Sequence, residues 1–431
     1  MSLKDRLSRL AGEVPEPLSP DPRQDRVAEL RRRLDRAMDR SGPTLSAGMR
    51  SARQSVTLLE HIVSGEEAHT PHGTFFVSQT TFKASDLHGH ARICDLACAS
   101  VEAASLLAGC PMVKGVSLSD GLFLDTETTG LAGGTGTFPF LIGLGWFEAS
   151  SFVTCQLFAR DFSEEGAMLS HLREVASAKQ FLVTFNGKAF DMNLLATRFI
   201  LNRCREPLSA MPHVDLLHLG RRILGHRLED ARLSTIEARV LGVEREGDVP
   251  GSEIPQRYFD WLRKRDGRLL EDVFIHNRLD IVSMASLLKY LTDLIDDRRP
   301  GDGHHGDLLK AACLLQDRGD GEKAGKMLER LISSRHGNVA ACARRSLSLL
   351  YRKAHRWEEA AGLWQDLVSS DPCDFFAMEE LAKFYEHHTH EFGKASQLVQ
   401  TLLSEAAGLS DDERVSAERR LRRLLAKVAR R

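Results

Sequence analysis

Two hydrophobic periods divide the chain. From about residue 116 to 190 the apolar residues fall into short runs of strand length, ending at Asp125 in GLFLD and recurring as FPFLIGLGWF, SFVTCQLFA and QFLVTFN. Such runs, bounded by Gly, Asp and Glu, predict strands buried on both faces. Helical spacing alternates with them. EEGAMLSHLREVASA precedes the last of these strands. NGKAFDMNLLATRFILNR follows it, with Phe190, Leu194 and Leu195 as an apolar stripe and Asn186 as the expected N-cap. The segment LLEDVFIHNRLDIVSMASLLKYL carries Val273, Leu279, Ile281, Met284 and Leu288 along one long helix. Three adjacent strands, a helix, a further strand and more helices predict an α/β layer fold with a mixed sheet.

The second period begins after RRPGDGHHGD, a stretch with the composition of a linker, in which His304 and His305 are expected to be solvated and not ligands. Ala324, Ala360 and Ala395 recur in similar helical contexts at spacings of 36 and 35 residues. Small residues at a period near ~34, where two helices cross, predict tetratricopeptide-type repeats. Three such units and the basic helix ERRLRRLLAKVARR would form a short solenoid. The expected organisation is then a helical and extended segment at 1–55, with Val27, Leu30, Leu34 and Met38 as its stripe, and a hairpin-and-helix extension at 56–115. An α/β domain at 116–297, a linker at 298–307 and an all-α repeat domain at 308–431 complete it.

Composition narrows the picture. A formal net charge of −2 gives no global attraction to polyanions, so a nucleic-acid site would need a local basic patch. Arg203, Arg205, Arg221, Arg222 and Arg227 offer one, with a solvated face as the equal alternative. No apolar run nears the ~18 residues of a spanning helix, and MSLKDRLSRL has no apolar core of a signal peptide. The eight cysteines are scattered without a C-x-x-C pair, as expected of reduced thiols in a cytoplasmic protein. His88, His90, Cys94 and Cys98 would suit zinc by donor type. The helical spacing of Cys94 and Cys98 fits one apolar face instead, and no zinc is expected there.

The chemistry concentrates at GLFLDTETTGL. On a strand, Asp125 and Glu127 face the same way, and two carboxylates so placed repel unless a cation neutralises them. Asp191 falls in the first turns of the helix after QFLVTFN, and His276 and Asp280 lie four apart on one helical face. Asp215 is expected to be structural, capping a helix or pairing with Arg221 or Arg222. The Gly-rich AGGTGT lacks the Gly-Lys-Ser/Thr ending of a P-loop.

In this order, DTETTGL, NGKAFDMNLL and HNRLD resemble the three exonuclease motifs of the DEDD superfamily of ribonuclease H-like nucleases. The chain is most similar to the bacterial branch in which that domain precedes tetratricopeptide repeats. The resemblance implies a metal-dependent 3′–5′ exonuclease acting on single-stranded DNA or RNA. It implies that Asp125, Glu127, Asp191 and Asp280 hold two Mg2+ or Mn2+ ions and that His276 is the general base. It further implies that Thr128, Thr129, Gly130 and Leu131 pack against the terminal nucleotide, that Asn186 and Lys188 contact the substrate backbone, and that the repeats recruit a protein partner. In the histidine subclass the base lies one position further from the last Asp. His276 has the spacing of the tyrosine subclass, so it is either the base or a residue that orients water. The alternative function is a nucleic-acid or protein binding scaffold with a catalytically weak ribonuclease H-like domain.

Overall fold

The computed structural model describes residues 56–112, 115–130, 136–296, 304–405 and 410–430. The stripe expected within 1–55, Leu131 and most of the linker lie outside the described residues. Residues 56–431 make one compact unit.

Its centre is a seven-stranded sheet. A hairpin of β1 (Glu66–Thr70) and β2 (Gly73–Phe82) forms one edge, followed across the sheet by β7 (Ser151–Phe158), β6 (Pro139–Glu148), β5 (Gly121–Thr128), β8 (Phe181–Thr184) and β9 (His213–Asp215). The stretch HTPHGTFFVSQTTF thus joins the same sheet as the acidic strand. A two-residue pair, β3 (Leu87–His88) with β4 (Ala91–Arg92), stands apart. β5 to β7 are antiparallel neighbours, whereas β5, β8 and β9 run parallel. A parallel pair needs a crossover, and the helix Glu165–Ser177 supplies it between β7 and β8.

Alternation along β5 sorts its side chains between two layers. Leu122 and Leu124 join a core with Leu195 and Phe199 of α3 (Asp191–Leu201) and Tyr258 of the helix Ile254–Lys264. Phe123 points the other way, into a core with Ala104 of α1 (Val101–Ala108) and Ile281 of α6 (Glu271–Ile295). We label Glu165–Ser177 α2, Leu216–Leu224 α4 and Ile254–Lys264 α5. The predicted strands and long helix therefore assemble as a ribonuclease H-like mixed sheet with helices on both faces.

Seven helices follow: α7 (His305–Asp317), α8 (Gly321–Leu331), α9 (Gly337–Lys353), α10 (Trp357–Ser370), α11 (Phe375–His387), α12 (Phe392–Glu405) and α13 (Asp411–Val428). They form three hairpins and a closing helix. Ala324, Ala360 and Ala395 sit in the second helix of successive hairpins and are all fully buried. The first hairpin is not a separate body. Leu309, Leu314 and Leu328 belong to the same apolar cluster as Phe123 and Ile281, so one core runs from the sheet into the helices. Among the described residues no helix is long and apolar enough to cross a membrane.

Candidate active site

The site forms where β5 outruns its apolar core. Asp125 continues the Phe123 face and meets α6, where Nδ2 of Asn277 donates to its Oδ2 at 3.0 Å. Asn277 is itself fixed, since its Oδ1 accepts from Nε2 of Gln156 at 3.0 Å and the same Gln156 nitrogen donates to the Phe274 carbonyl at 2.8 Å. Gly143 of β6 is the register partner of Asp125. A Cβ there would lie 2.2 Å from Oδ1 of Asn277, so glycine makes the room that lets α6 come down on the strand.

Thr126 points to the opposite layer. Its hydroxyl donates to Oδ1 of Asp191 at 2.5 Å, at the first residue of α3. Asp191 thus arrives at the end of β5 from the far side of the sheet. The helix starts at Asp191 with Phe190 at its N-cap position, not at the Asn186 expected from the sequence. Asn186 instead adopts a left-handed φ of 67° in the turn before it. The backbone NH groups of Asn186 and Lys188 donate to the two oxygens of Asp215 at 2.9 and 3.0 Å. Asp215 also caps α4 through Leu217 NH at 3.1 Å. Capping was the expected role, and the partners are this turn where Arg221 or Arg222 were anticipated. Arg222 pairs with Asp317 of α7, and Arg227 with Asp307, which ties part of the basic run to the helical region. Phe190, read as part of the buried stripe, is 53% exposed, and Phe199 fills the core position instead.

The fourth carboxylate is on α6. Asp280 pairs with the Arg245 guanidinium, which also holds Glu237 at 2.5 Å and Asp248 at 3.3 Å. His276, one turn before Asp280, places Nδ1 2.7 Å from Oδ1 of Asp248 and Nε2 3.6 Å from Oδ2 of Asp280. A carboxylate on one nitrogen fixes the ring and directs the other nitrogen at Asp280.

Electrostatics sets this corner apart. Loss of solvent, and then the charges of Asp280 and Asp191, push the Asp125 carboxyl well above its usual range. Glu127 is pushed the same way by burial and by Asp125, Asp280 and Asp191. Burial also raises Asp191, to about 6, against the Thr126 hydrogen bond that favours its ionised form. Charge on Asp191 and Asp280 therefore raises the cost of ionising Asp125 and Glu127. The four acids are not drawn to a point. Among the described residues, the set of His, Cys and carboxylate ligand atoms lying mutually within 4.8 Å is His226, His304 and Asp307, not the acids.

Thr128 and Thr129 sit in the turn that leaves β5. The Thr128 hydroxyl donates to the Gly130 carbonyl at 2.8 Å, and Thr129 exchanges bonds with Phe138, from its NH at 2.9 Å and to its hydroxyl at 3.0 Å. This fastens the turn against the start of β6. His88, one turn along α6 from Asp280, is buried with Nε2 2.7 Å from the Ser283 hydroxyl. Cys98 Sγ donates to the Cys94 carbonyl at 3.5 Å and is exposed, so the apolar face there comes from Ile93 and Leu96 instead. Asn277, Gln156, Arg245 and Asp248 were not singled out from the sequence. Only Gly143 carried a signal, as a glycine inside a strand pattern.

A model of the RNase_H superfamily matches residues 122–292, from β5 to near the end of α6. The chain is also 38% identical over 320 residues to the Uncharacterized protein YprB of Bacillus subtilis (strain 168), covering 73% of this chain and 77% of that one. Identity at that level over that span makes the present chain a member of the family of the Bacillus protein, built around an RNase_H superfamily domain.

Proposed function

We propose that the protein is a metal-dependent 3′–5′ exonuclease of the DEDD type, hydrolysing single-stranded DNA or RNA. The observation that carries this lies at the end of β5, where burial and the charges of Asp191 and Asp280, from two helices, push the strand's Asp125 and Glu127 well above their usual range. A fold gains nothing from such repulsion, whereas hard divalent cations relieve it with oxygen ligands of this kind. Donor chemistry thus fits Mg2+ or Mn2+ held by Asp125, Glu127, Asp191 and Asp280. Such ions, when bound, supply a nucleophilic water at neutral pH and neutralise charge on the phosphodiester.

The chain's own groups prepare that chemistry. Asn277 holds Asp125 through a bond that is itself anchored by Gln156. Thr126 holds Asp191 and Arg245 holds Asp280 in place before a cation arrives. Asp248 sets His276 with Nε2 toward the acids, where it takes the proton of an attacking water. Thr128, Thr129, Gly130 and Leu131 would border the terminal nucleotide, and Asn186 and Lys188, on the turn held by Asp215, would meet the strand's backbone. The helical hairpins, read as tetratricopeptide-type repeats, would recruit a protein partner in the cytoplasm.

One observation favours the scaffold alternative. Arg245 is already ion-paired to Asp280, and a domain whose cation is an arginine binds without turnover. Shortening of end-labelled single-stranded RNA and DNA separates the two, with Mn2+ or Mg2+ against EDTA and parent against Asp125→Ala. Metal-dependent loss from the 3′ end, absent in the variant, is expected. Strand binding with no turnover by the parent would establish the scaffold.

A further inference from the structure

Three side chains outside the acidic site converge where the α/β layers meet the helical hairpins. His226 follows α4, His304 precedes α7, and Asp307 lies in the first turn of α7. His226 Nε2 is 3.4 Å from His304 Nδ1 and 3.5 Å from Asp307 Oδ1, and His304 Nδ1 is 3.6 Å from the same oxygen. We propose that these three atoms bind one zinc ion, which fastens the first hairpin to the α/β domain. The expectation that His304 is merely solvated is thereby revised.

The triangle has the size of a zinc site. Tetrahedral ligands at about 2.0–2.1 Å from zinc stand about 3.3–3.4 Å from one another. Hydrogen-bonded partners would be closer, at about 2.9–3.0 Å. The donors are also oriented. His226 Nδ1 lies 3.0 Å from the Ile223 carbonyl, which can only accept, so Nδ1 carries the proton and Nε2 presents a lone pair. That is the backbone contact by which a metal-binding histidine is usually set. Asp307 is fully buried and held in place: its Oδ1 accepts from Arg227 Nε at 2.9 Å, and its Oδ2 from Arg227 Nη2 at 2.7 Å and the Tyr290 hydroxyl at 2.5 Å. Its Oδ1 has a second lone pair for the histidines.

Room for the ion is provided by Gly306. A Cβ at that residue would come within 2.3 Å of His226 Nε2 and 3.1 Å of His304 Nδ1, so any larger side chain would crowd both imidazole donors. Two imidazoles and one carboxylate suit zinc and are poor ligands for Mg2+. The His304 side chain is half exposed, which leaves the fourth position to water.

The test is zinc retention by full-length protein stripped with EDTA, given one equivalent of zinc in excess Mg2+, and dialysed. Zinc per chain is read by mass spectrometry, the melting temperature by calorimetry, and the coordination by visible absorption after cobalt substitution. Parent and Asp125→Asn should each keep one zinc, melt higher than the stripped protein and show the absorption of four-coordinate cobalt. His304→Asn, a change at a half-exposed side chain, and Gly306→Ala should bind zinc at least tenfold more weakly. Both should lose the cobalt signature, while His304→Asn melts with the stripped parent in EDTA. No zinc in the parent, parental affinity in His304→Asn, or loss of zinc in Asp125→Asn would each overturn the site.

Discussion

Desolvated carboxylates meet opposite fates in the two halves of this molecule. At the end of β5, desolvation and neighbouring acids drive Asp125 and Glu127 well above their usual range. In the helical half, Glu386 is fully buried, and burial alone would raise it too. There Arg423 at 2.8 Å, Lys427 at 2.9 Å and Arg420 at 3.2 Å surround it and pull it down to about 2. Three basic residues of the last helix thus serve as counter-charge for one acid. Glu386 draws its counter-charge from three side chains of the chain itself, whereas at the end of β5 Arg245 pairs with Asp280 and Asp125 and Glu127 still stand well above their usual range.

Neutralising one acid in each half should break this contrast most sharply. Asp125→Asn is expected to cut metal-dependent turnover by about 10³-fold or more, an effect of about 4 kcal/mol, without loss of melting temperature in EDTA. Turnover assays and calorimetry on the same preparation check both parts. Glu386→Gln should do the reverse. Leaving three cations around a neutral group is expected to cost about 3 kcal/mol of stability, read by urea unfolding, with turnover per folded molecule unchanged.

Acid titration separates the halves by window. Burial, and then the charge of Arg245, lower His88 from an ordinary 6.5 to about 4. The unfolded chain therefore binds its proton first, so this stabilising contribution is intact above about pH 6.5 and is lost as pH falls toward 4. The parent should lose about 3 kcal/mol across that range relative to His88→Gln, a figure good to order of magnitude. The Glu386 contribution, with a depressed carboxylate, should survive to about pH 4.5 and fade as pH falls toward 2. The smallest effect is expected from Asn277→Ala, which frees Asp125 without removing it. Removing a residue that only orients a ligand usually costs about 10–100-fold in activity, and the loss should appear in kcat with melting temperature nearly held.

The sequence made the sheet legible because strand period and burial coincide in GLFLD and FPFLIGLGWF, and it made the hairpins legible because three alanines recur where helices cross. Within the candidate site, the groupings visible from the sequence are the local ones. Asp125 and Glu127 share a strand face by period two, and His276 and Asp280 share a helix face by spacing four. What escaped is long-range. Asn277 reaches Asp125 across 152 residues, and Arg245 reaches Asp280 across 35 from a loop with no periodic signal. Asn186 misled for a physical reason. Its side chain suits an N-cap, but Asp215, from a later strand, holds the backbone at Asn186 and Lys188 and delays the helix to Asp191.

The melting temperature of the full chain, parent against Asp125→Asn, each stripped of metal and then given one equivalent of zinc, measured without and with millimolar Mn2+, examines the acids at the end of β5 most directly. Mn2+ should raise the parent's melting temperature by several degrees, while the variant starts as high as the parent without Mn2+ or higher and gains little. A parent that Mn2+ does not shift, or a variant that gains as much as the parent, would contradict the assignment of these acids to a cation.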